Sequence, residues 1–176
     1  MDKIERMQQV IEVLQKTSFM QMPAFEHRSV KRSGGLLQHS LNYWIQLERL
    51  TEQMGLEWEH PSSPFIIAML HHACDIGRYY YNWDYKVWEE NGKLSQGHGM
   101  MSVDVAEKLG IKLTDEEKAC IKYHMGDFVE SELWESYPDT LIQYPNVAWA
   151  HVADLMTHQY YGGLDDERVA DESNHP

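Results

Sequence analysis

The sequence has little cysteine and no long apolar run. Its two cysteines, Cys74 and Cys120, are too few for a scaffold of disulfides and form no CxxC motif. The best apolar run, residues 65–70, is far shorter than the ~20 residues that a membrane-crossing helix needs. Residues 1–6 begin an amphipathic helical pattern and lack the pattern of a signal peptide. We therefore expect a cytoplasmic protein without a membrane partner.

The chain is also poor in basic residues. Fifteen Lys and Arg stand against 28 Asp and Glu, which gives a formal net charge of −13. A field of this sign repels the phosphates of nucleic acids and of anionic lipids unless basic side chains are concentrated locally. Extended nucleic-acid binding is therefore not expected. A homo-oligomer is possible on the sequence.

Apolar residues, by contrast, are sufficient for one packed domain. They make up 43% of the 176 residues, and over most of the length they recur every three or four positions, the period of amphipathic helices. The sequence has no internal repeat and no glycine-rich phosphate loop. We predict an all-α fold, a compact helical bundle over residues 1–163, followed by a disordered acidic tail over residues 164–176.

Local signals place the elements of this bundle. Thr114 and Glu117 form the pattern of a capping box at the start of a helix. The pair Asn91-Gly92, between residues 85–88 and 93–94, is typical of a small β-hairpin. The aromatic segment around it could stack a nucleobase or pack on its own domain. The predicted helices cover residues 4–14, 36–50, 64–77, 100–109, 114–124 and 147–161.

Ten histidines are the unusual feature of the composition. His39 occupies an apolar helical pattern, and His71 ends an apolar run; Asp154 lies in the middle of the last apolar helix. One such residue is equally compatible with a hydrogen-bonded core side chain, because burial without a partner costs free energy. Several helices with the same feature favour a transition-metal site, since bundles hold such metals with imidazoles and carboxylates from facing helices.

Five short segments occur in a fixed order along residues 23–160. They are Gly34–Leu41, Leu70–Arg78, Gly97–Gly99, Tyr123–Gly126 and Ala153–Asp154. Together they resemble the ordered signature of the HD-domain metal-dependent phosphohydrolases, in the form with an extended histidine set. The resemblance implies an HD-domain-like helical bundle and a cofactor of one or two divalent transition-metal ions. The sequence does not distinguish Mn, Fe, Zn, Co and Ni. As ligands the resemblance implies His39, His71 and Asp154 for the first ion, and His98 and His124 for the second.

The chain departs from the family at the doublet that names it. His72 stands where an Asp should follow His71, and a neutral imidazole has one lone pair where a carboxylate can give one oxygen to each of two metals. Asp75 lies on the same predicted helix face and could ligate a metal or position its water. A second register aligns Cys74-Asp75 with the doublet. In either register His71 and Asp75 stay near the metal, and we place His72 among the candidate ligands.

The resemblance implies an enzyme that hydrolyses phosphoric esters of a small molecule, a nucleotide or a cyclic nucleotide, with metal-activated water. Asp75 or His124 could position the water. Lys31, Arg32 and Arg78 could bind the substrate phosphate, unless they only form a solvated loop. His158, like His60 and His175, is predicted to lie on the surface.

Two further hypotheses belong to other classes of protein. The extended histidine set also occurs in HD-fold oxygenases with two iron ions. The missing doublet Asp is equally compatible with a non-catalytic protein that binds and sequesters a nucleotide. Iron content, oxygen uptake and turnover separate the three hypotheses.

Overall fold

The computed structural model describes residues 2–24, 33–91, 97–126, 129 and 131–161. Its chain is mostly helical, with one two-stranded antiparallel hairpin, in agreement with the predicted fold class. Within the described ranges, no helix has the length and apolar character to cross a membrane. The elements are α1 (Lys3–Leu14), α2 (Gly35–Met54), α3 (Ser63–Leu70), α4 (Cys74–Arg78), β1 (Tyr79–Asn82), β2 (Val87–Glu90), α5 (His98–Lys108), α6 (Asp115–Tyr123), a 3-10 turn (Ser131–Leu133), α7 (Tyr137–Gln143) and α8 (Asn146–Tyr161).

The core lies where α2 packs against α3 and α8, and where α6 packs against α5 and α8. Helix α8 presents small side chains to this core, with Ala150 and Ala153 fully buried. Small side chains let the helix backbones approach closely, and the hydroxyl of Tyr43 on α2 donates a hydrogen bond to the Ala150 carbonyl at 3.0 Å. The polar side chains of the candidate site therefore lie among the apolar, closely packed faces of these helices.

A buried ion pair joins α1 to α6. The Arg6 guanidinium donates to both carboxylate oxygens of Glu117, at 2.5 and 2.6 Å, and the pair is almost fully buried. Ser63 donates a third hydrogen bond to Glu117. Glu117 also accepts a hydrogen bond from the Thr114 backbone N–H, which completes the predicted capping box. One carboxylate thus caps α6 and fixes the N-terminal helix to it.

The predicted helix over residues 64–77 is interrupted, contrary to expectation. Helix α3 ends at Leu70 and α4 begins at Cys74, with a tightened turn between them. The reason is Ser102 on α5, whose hydroxyl donates to the His71 carbonyl at 2.8 Å and accepts from the Cys74 N–H at 3.1 Å. A side chain of another helix therefore replaces part of the intrahelical hydrogen bonding, which periodicity along one segment cannot reveal.

The hairpin that the structure describes has its turn at residues 83–86, because strand β1 pairs with β2. Of the predicted turn Asn91-Gly92, Gly92 and the strand after it, residues 93–94, lie outside the described residues. The Asn82 side chain accepts hydrogen bonds from the backbone N–H groups of Asp84 and Tyr85 and closes the turn at residues 83–86. Lys86 completes it with a φ of 55°. Asx-turn chemistry at Asn82 therefore forms the turn of the described hairpin.

Helix α7 is missed by the sequence analysis. It begins near Pro138 and buries none of its residues, so no apolar period marks it. The single-domain boundary at residue 163 and the acidic tail, residues 164–176, lie outside the described residues and stay predictions.

Candidate metal centre

The structure brings together the six side chains that the sequence analysis proposes as metal ligands. His39 comes from α2 and Asp154 from α8, and both are buried. His71 and His72 occupy the turn between α3 and α4, His98 is the first residue of α5, and His124 directly follows α6. His98 is half-buried, and the others are almost inaccessible to solvent.

His39 and His71 point their ring nitrogens at each other. Their Nε2 atoms lie 3.0 Å apart. The Nδ1 of His71 lies 2.8 Å from the Ala68 carbonyl, which can only accept, so Nδ1 carries the proton and Nε2 of the neutral ring carries a lone pair. Two nitrogens bound to one metal at 2.0–2.1 Å and 90° are about 2.9 Å apart. The pair thus has the spacing of two ligands of one ion, or of an N–H of His39 donated to His71.

His98 and His124 form a second pair with the same design. Their Nε2 atoms lie 3.2 Å apart, and the Nδ1 of His124 donates to the Ile121 carbonyl at 2.7 Å. His71 and His124 each follow a helix and each turn back on the carbonyl three residues earlier. This contact fixes the tautomer in which Nε2 carries the lone pair that can bind a metal, which is the usual arrangement of metal-binding histidines.

A close crossing of helices brings the second pair together. Gly99 lies against α6 so closely that a Cβ atom there would be 2.3 Å from the Lys122 carbonyl oxygen. On the other side, His151 donates a hydrogen bond to the His124 carbonyl at 2.8 Å, and its ring leaves no room for a Cβ at Gly126. The backbone around His124 is therefore held from two sides.

His72 lies between the two pairs. The centroid of its ring is 4.4 Å from the rings of both His71 and His98, and 5.1 Å from His39. The residue that replaces the doublet Asp therefore occupies the middle of the cluster. Asp75 is buried nearby, one residue from Cys74, whose thiol donates to its Oδ1 at 3.7 Å.

Asp154 carries a buried oxygen that no hydrogen bond satisfies. Its Oδ1 lies 3.9 Å from Nε2 of His39, and no described residue donates a hydrogen bond to it. The other oxygen lies 3.5 Å from Nε2 of His158. A buried, unpartnered carboxylate oxygen is costly, and a cation beside it removes the cost. The residues present therefore fit a metal ion on this side of the cluster.

The protonation states also suit a metal. Burial, with the neighbouring His39 and His124, holds the pKa of His71 well below 6.5, so its ring is neutral. Burial opposes ionisation of Asp154, yet its pKa lies below the ordinary value, chiefly because of the hydrogen bond from His158. A neutral imidazole and an ionised carboxylate are the forms that bind metal ions.

Two groups of three side chains have ligand atoms close enough to share an ion. The first consists of His39, His71 and His72, and the second of His72, Cys74 and His98; within each group the ligand atoms lie within 4.8 Å of one another. The buried histidine cluster could therefore hold a metal ion.

The structure also reveals a contact that the sequence analysis missed. His158 is exposed, as predicted, and its ring contacts Asp154 and lies 5.6 Å from the ring of His39. The available signal was its spacing of four residues from Asp154, which places both side chains on one face of α8.

The candidate substrate-binding residues are only partly described. Arg78 ends α4 and is half-buried. Lys31 and Arg32 lie outside the described residues. The aromatic segment that includes the hairpin forms one wall of a cavity of about 650 Å³. Its lining consists of Ser18, Gln21, Ser33, Tyr81, Trp83 and Trp88.

Comparison with known proteins adds no relative. No family model matches the chain, and neither the curated proteins nor the solved structures give a match. The resemblance to HD-domain phosphohydrolases therefore stays a prediction from the residues, and the functional argument depends on the geometry of the cluster.

Proposed function

We propose that this chain is a metal-dependent phosphohydrolase of the HD-domain type, acting on a small phosphorylated substrate such as a nucleotide or cyclic nucleotide. One observation carries the proposal: two Nε2–Nε2 contacts of 3.0 and 3.2 Å, in which the Nδ1 atoms of His71 and His124 are tied to backbone carbonyls. Oδ1 of Asp154, which lies beside His39 and has no hydrogen-bond partner among the described residues, supports it. A bundle interior with this donor set suits one or two transition-metal ions.

A divalent metal bound in such a site lowers the pKa of a bound water and neutralises charge on phosphoryl oxygens. His39, His71 and Asp154 would hold the first ion, and His72, His98 and His124 the second. Asp75 would orient the attacking water, and the burial of the surrounding side chains strengthens each of these interactions.

The phosphate of the substrate requires positive charge, which is scarce in this chain. We assign that role to Arg78, at the end of α4, and to Lys31 and Arg32. A guanidinium can bind two phosphate oxygens at once, so Arg78 would also set the orientation of the phosphoryl group.

Metal content and phosphate release test the proposal together. Protein purified without chelator is expected to contain one or two transition-metal ions per chain. It should release phosphate from a nucleoside monophosphate, or hydrolyse a cyclic nucleotide, and a chelator should abolish this activity. Metal-loaded protein that hydrolyses neither a phosphomonoester nor a phosphodiester would overturn the proposal. Oxygen uptake by the iron-loaded protein would then favour the di-iron oxygenase, and nucleotide binding without turnover the sequestering protein.

His72→Asp tests the altered doublet. A carboxylate at the centre of the cluster can give one oxygen to each of two ions, so the variant is expected to bind the second ion at least about tenfold more tightly than the parent. Titration with Mn²⁺, with bound metal counted per chain, measures this. Asp75→Asn is the matched control for the competing idea that Asp75 supplies the bridging carboxylate. If Asp75→Asn loses the second ion while His72→Asp gains nothing, His72 is not the doublet position.

A further inference from the structure

We infer that Cys74 is a metal ligand, and that together with His72 and His98 it adds one thiolate to the imidazoles at the second metal position. The inference deepens the proposed function, because it names the ligands and the metal class of that same centre. Sulfur and nitrogen atoms of the three side chains lie within 4.8 Å of one another. Cys74 is completely buried, so its sulfur faces the interior of the protein.

Helix α5 positions this group of three side chains. Ser102 accepts a hydrogen bond from the Cys74 N–H and donates one to the His71 carbonyl, which fixes the turn that carries His72 and Cys74. His98 lies four residues before Ser102, on the same face of α5. The helix that anchors the backbone of Cys74 therefore also presents the second imidazole to it.

The thiol has an acceptor for the proton that metal binding displaces. A thiolate, not a thiol, is the ligand, so binding breaks the S–H bond and forms one metal–sulfur bond. The Cys74 sulfur lies 3.7 Å from Oδ1 of Asp75, to which it donates its hydrogen. The proton passes to this carboxylate. Asp75 thus receives a role that does not require it to bind the metal.

A sulfur ligand changes which metal the second position selects. Carboxylate and water ligands suit Mn²⁺ and Mg²⁺, whereas thiolate with imidazole suits Zn²⁺ and its tetrahedral substitute Co²⁺. The replacement of the doublet Asp by His72 acts in the same direction, because it removes a hard oxygen ligand. The sulfur ligand and the absence of the doublet carboxylate together indicate a centre adapted to a softer ion.

Cobalt reports thiolate ligation directly. The full-length chain loaded with Co²⁺ is expected to show an intense near-ultraviolet sulfur-to-cobalt charge-transfer band. Cys74→Ser should lose the band and bind Zn²⁺ at least about tenfold more weakly. Cys120→Ser is the matched control, because Cys120 is equally buried but belongs to neither ligand group among the described residues. It should keep both the band and the affinity. A band that survives Cys74→Ser, or that the parent chain lacks, overturns the inference.

A second measurement avoids dependence on the folding of Cys74→Ser. X-ray absorption of the Zn²⁺-loaded parent and of Cys120→Ser should show one sulfur at ~2.3 Å from the metal, and a shell of nitrogen and oxygen alone contradicts the inference. Its failure is distinguishable from that of the proposed function. A sulfur ligand without phosphate release overturns only the phosphohydrolase, and metal-dependent release without a sulfur ligand overturns only the role of Cys74.

Discussion

Asp154→Asn is expected to weaken binding of the first metal ion at least about 100-fold and to reduce phosphate release to background. The side chain keeps its shape, so the fold should persist. What changes is the buried oxygen beside His39, which has no hydrogen-bond donor among the described residues and whose negative charge the substitution removes. Bound metal per chain after dialysis, and turnover at saturating metal, measure the effect.

The control for Asp154→Asn is Asp139→Asn. Asp139 lies on the exposed helix α7, so the same loss of one charge there should leave metal content and turnover unchanged. His158→Gln provides a second comparison, because His158 contacts the other oxygen of Asp154. This variant should reduce metal affinity and turnover less than Asp154→Asn does. Full metal occupancy and turnover in Asp154→Asn would show that this carboxylate is a structural residue and no ligand.

Arg6→Met is expected to lower the free energy of unfolding by about 3–5 kcal/mol. The substitution leaves the fully buried carboxylate of Glu117 without its two charge-assisted hydrogen bonds from the guanidinium. An unpaired buried charge is costly, whereas removal of both partners costs less. The double variant Arg6→Met/Glu117→Gln should therefore lose less free energy of unfolding than the sum of the losses in the two single variants. Urea unfolding of all three variants measures this.

An exposed ion pair on the same helix provides the comparison. Lys118, the neighbour of Glu117, pairs with Glu107 at 2.7 Å, and both side chains are exposed. Lys118→Met should cost less than about 1 kcal/mol, since solvent screens such pairs. Equal effects of Arg6→Met and Lys118→Met would mean that the Arg6–Glu117 pair is not buried in solution.

Much of the candidate site could be predicted because its residues violate the pattern around them. His39, His71 and Asp154 each occupy an apolar helical position, and burial of such a side chain requires a compensating partner. The helix periods and the capping box at Thr114 were equally local signals, and the structure agrees with them.

The interruption of the helix predicted over residues 64–77 depends on a contact between distant segments. The break after Leu70 needs the hydroxyl of Ser102 from another helix. The turn at residues 83–86, by contrast, needs only the neighbouring side chain of Asn82, a local signal that the sequence analysis did not use. His158 is exposed, as predicted, and its contact with Asp154 was not foreseen. Cys74 showed no CxxC spacing, and its relation to His98 exists only after α5 has packed against α4.

By itself the sequence determined the helical class and the set of residues whose burial is costly. Both follow from short stretches of sequence, which show the amphipathic period and the polar residues that interrupt it. Only the tertiary structure decided which of those residues meet. The contacts of 3.0 and 3.2 Å between histidine rings join residues 32 and 26 positions apart, and the approach of α5 at Gly99 sets the second of them. Such distances depend on how whole helices pack, and helix packing responds to side-chain volume across the core rather than to any local pattern.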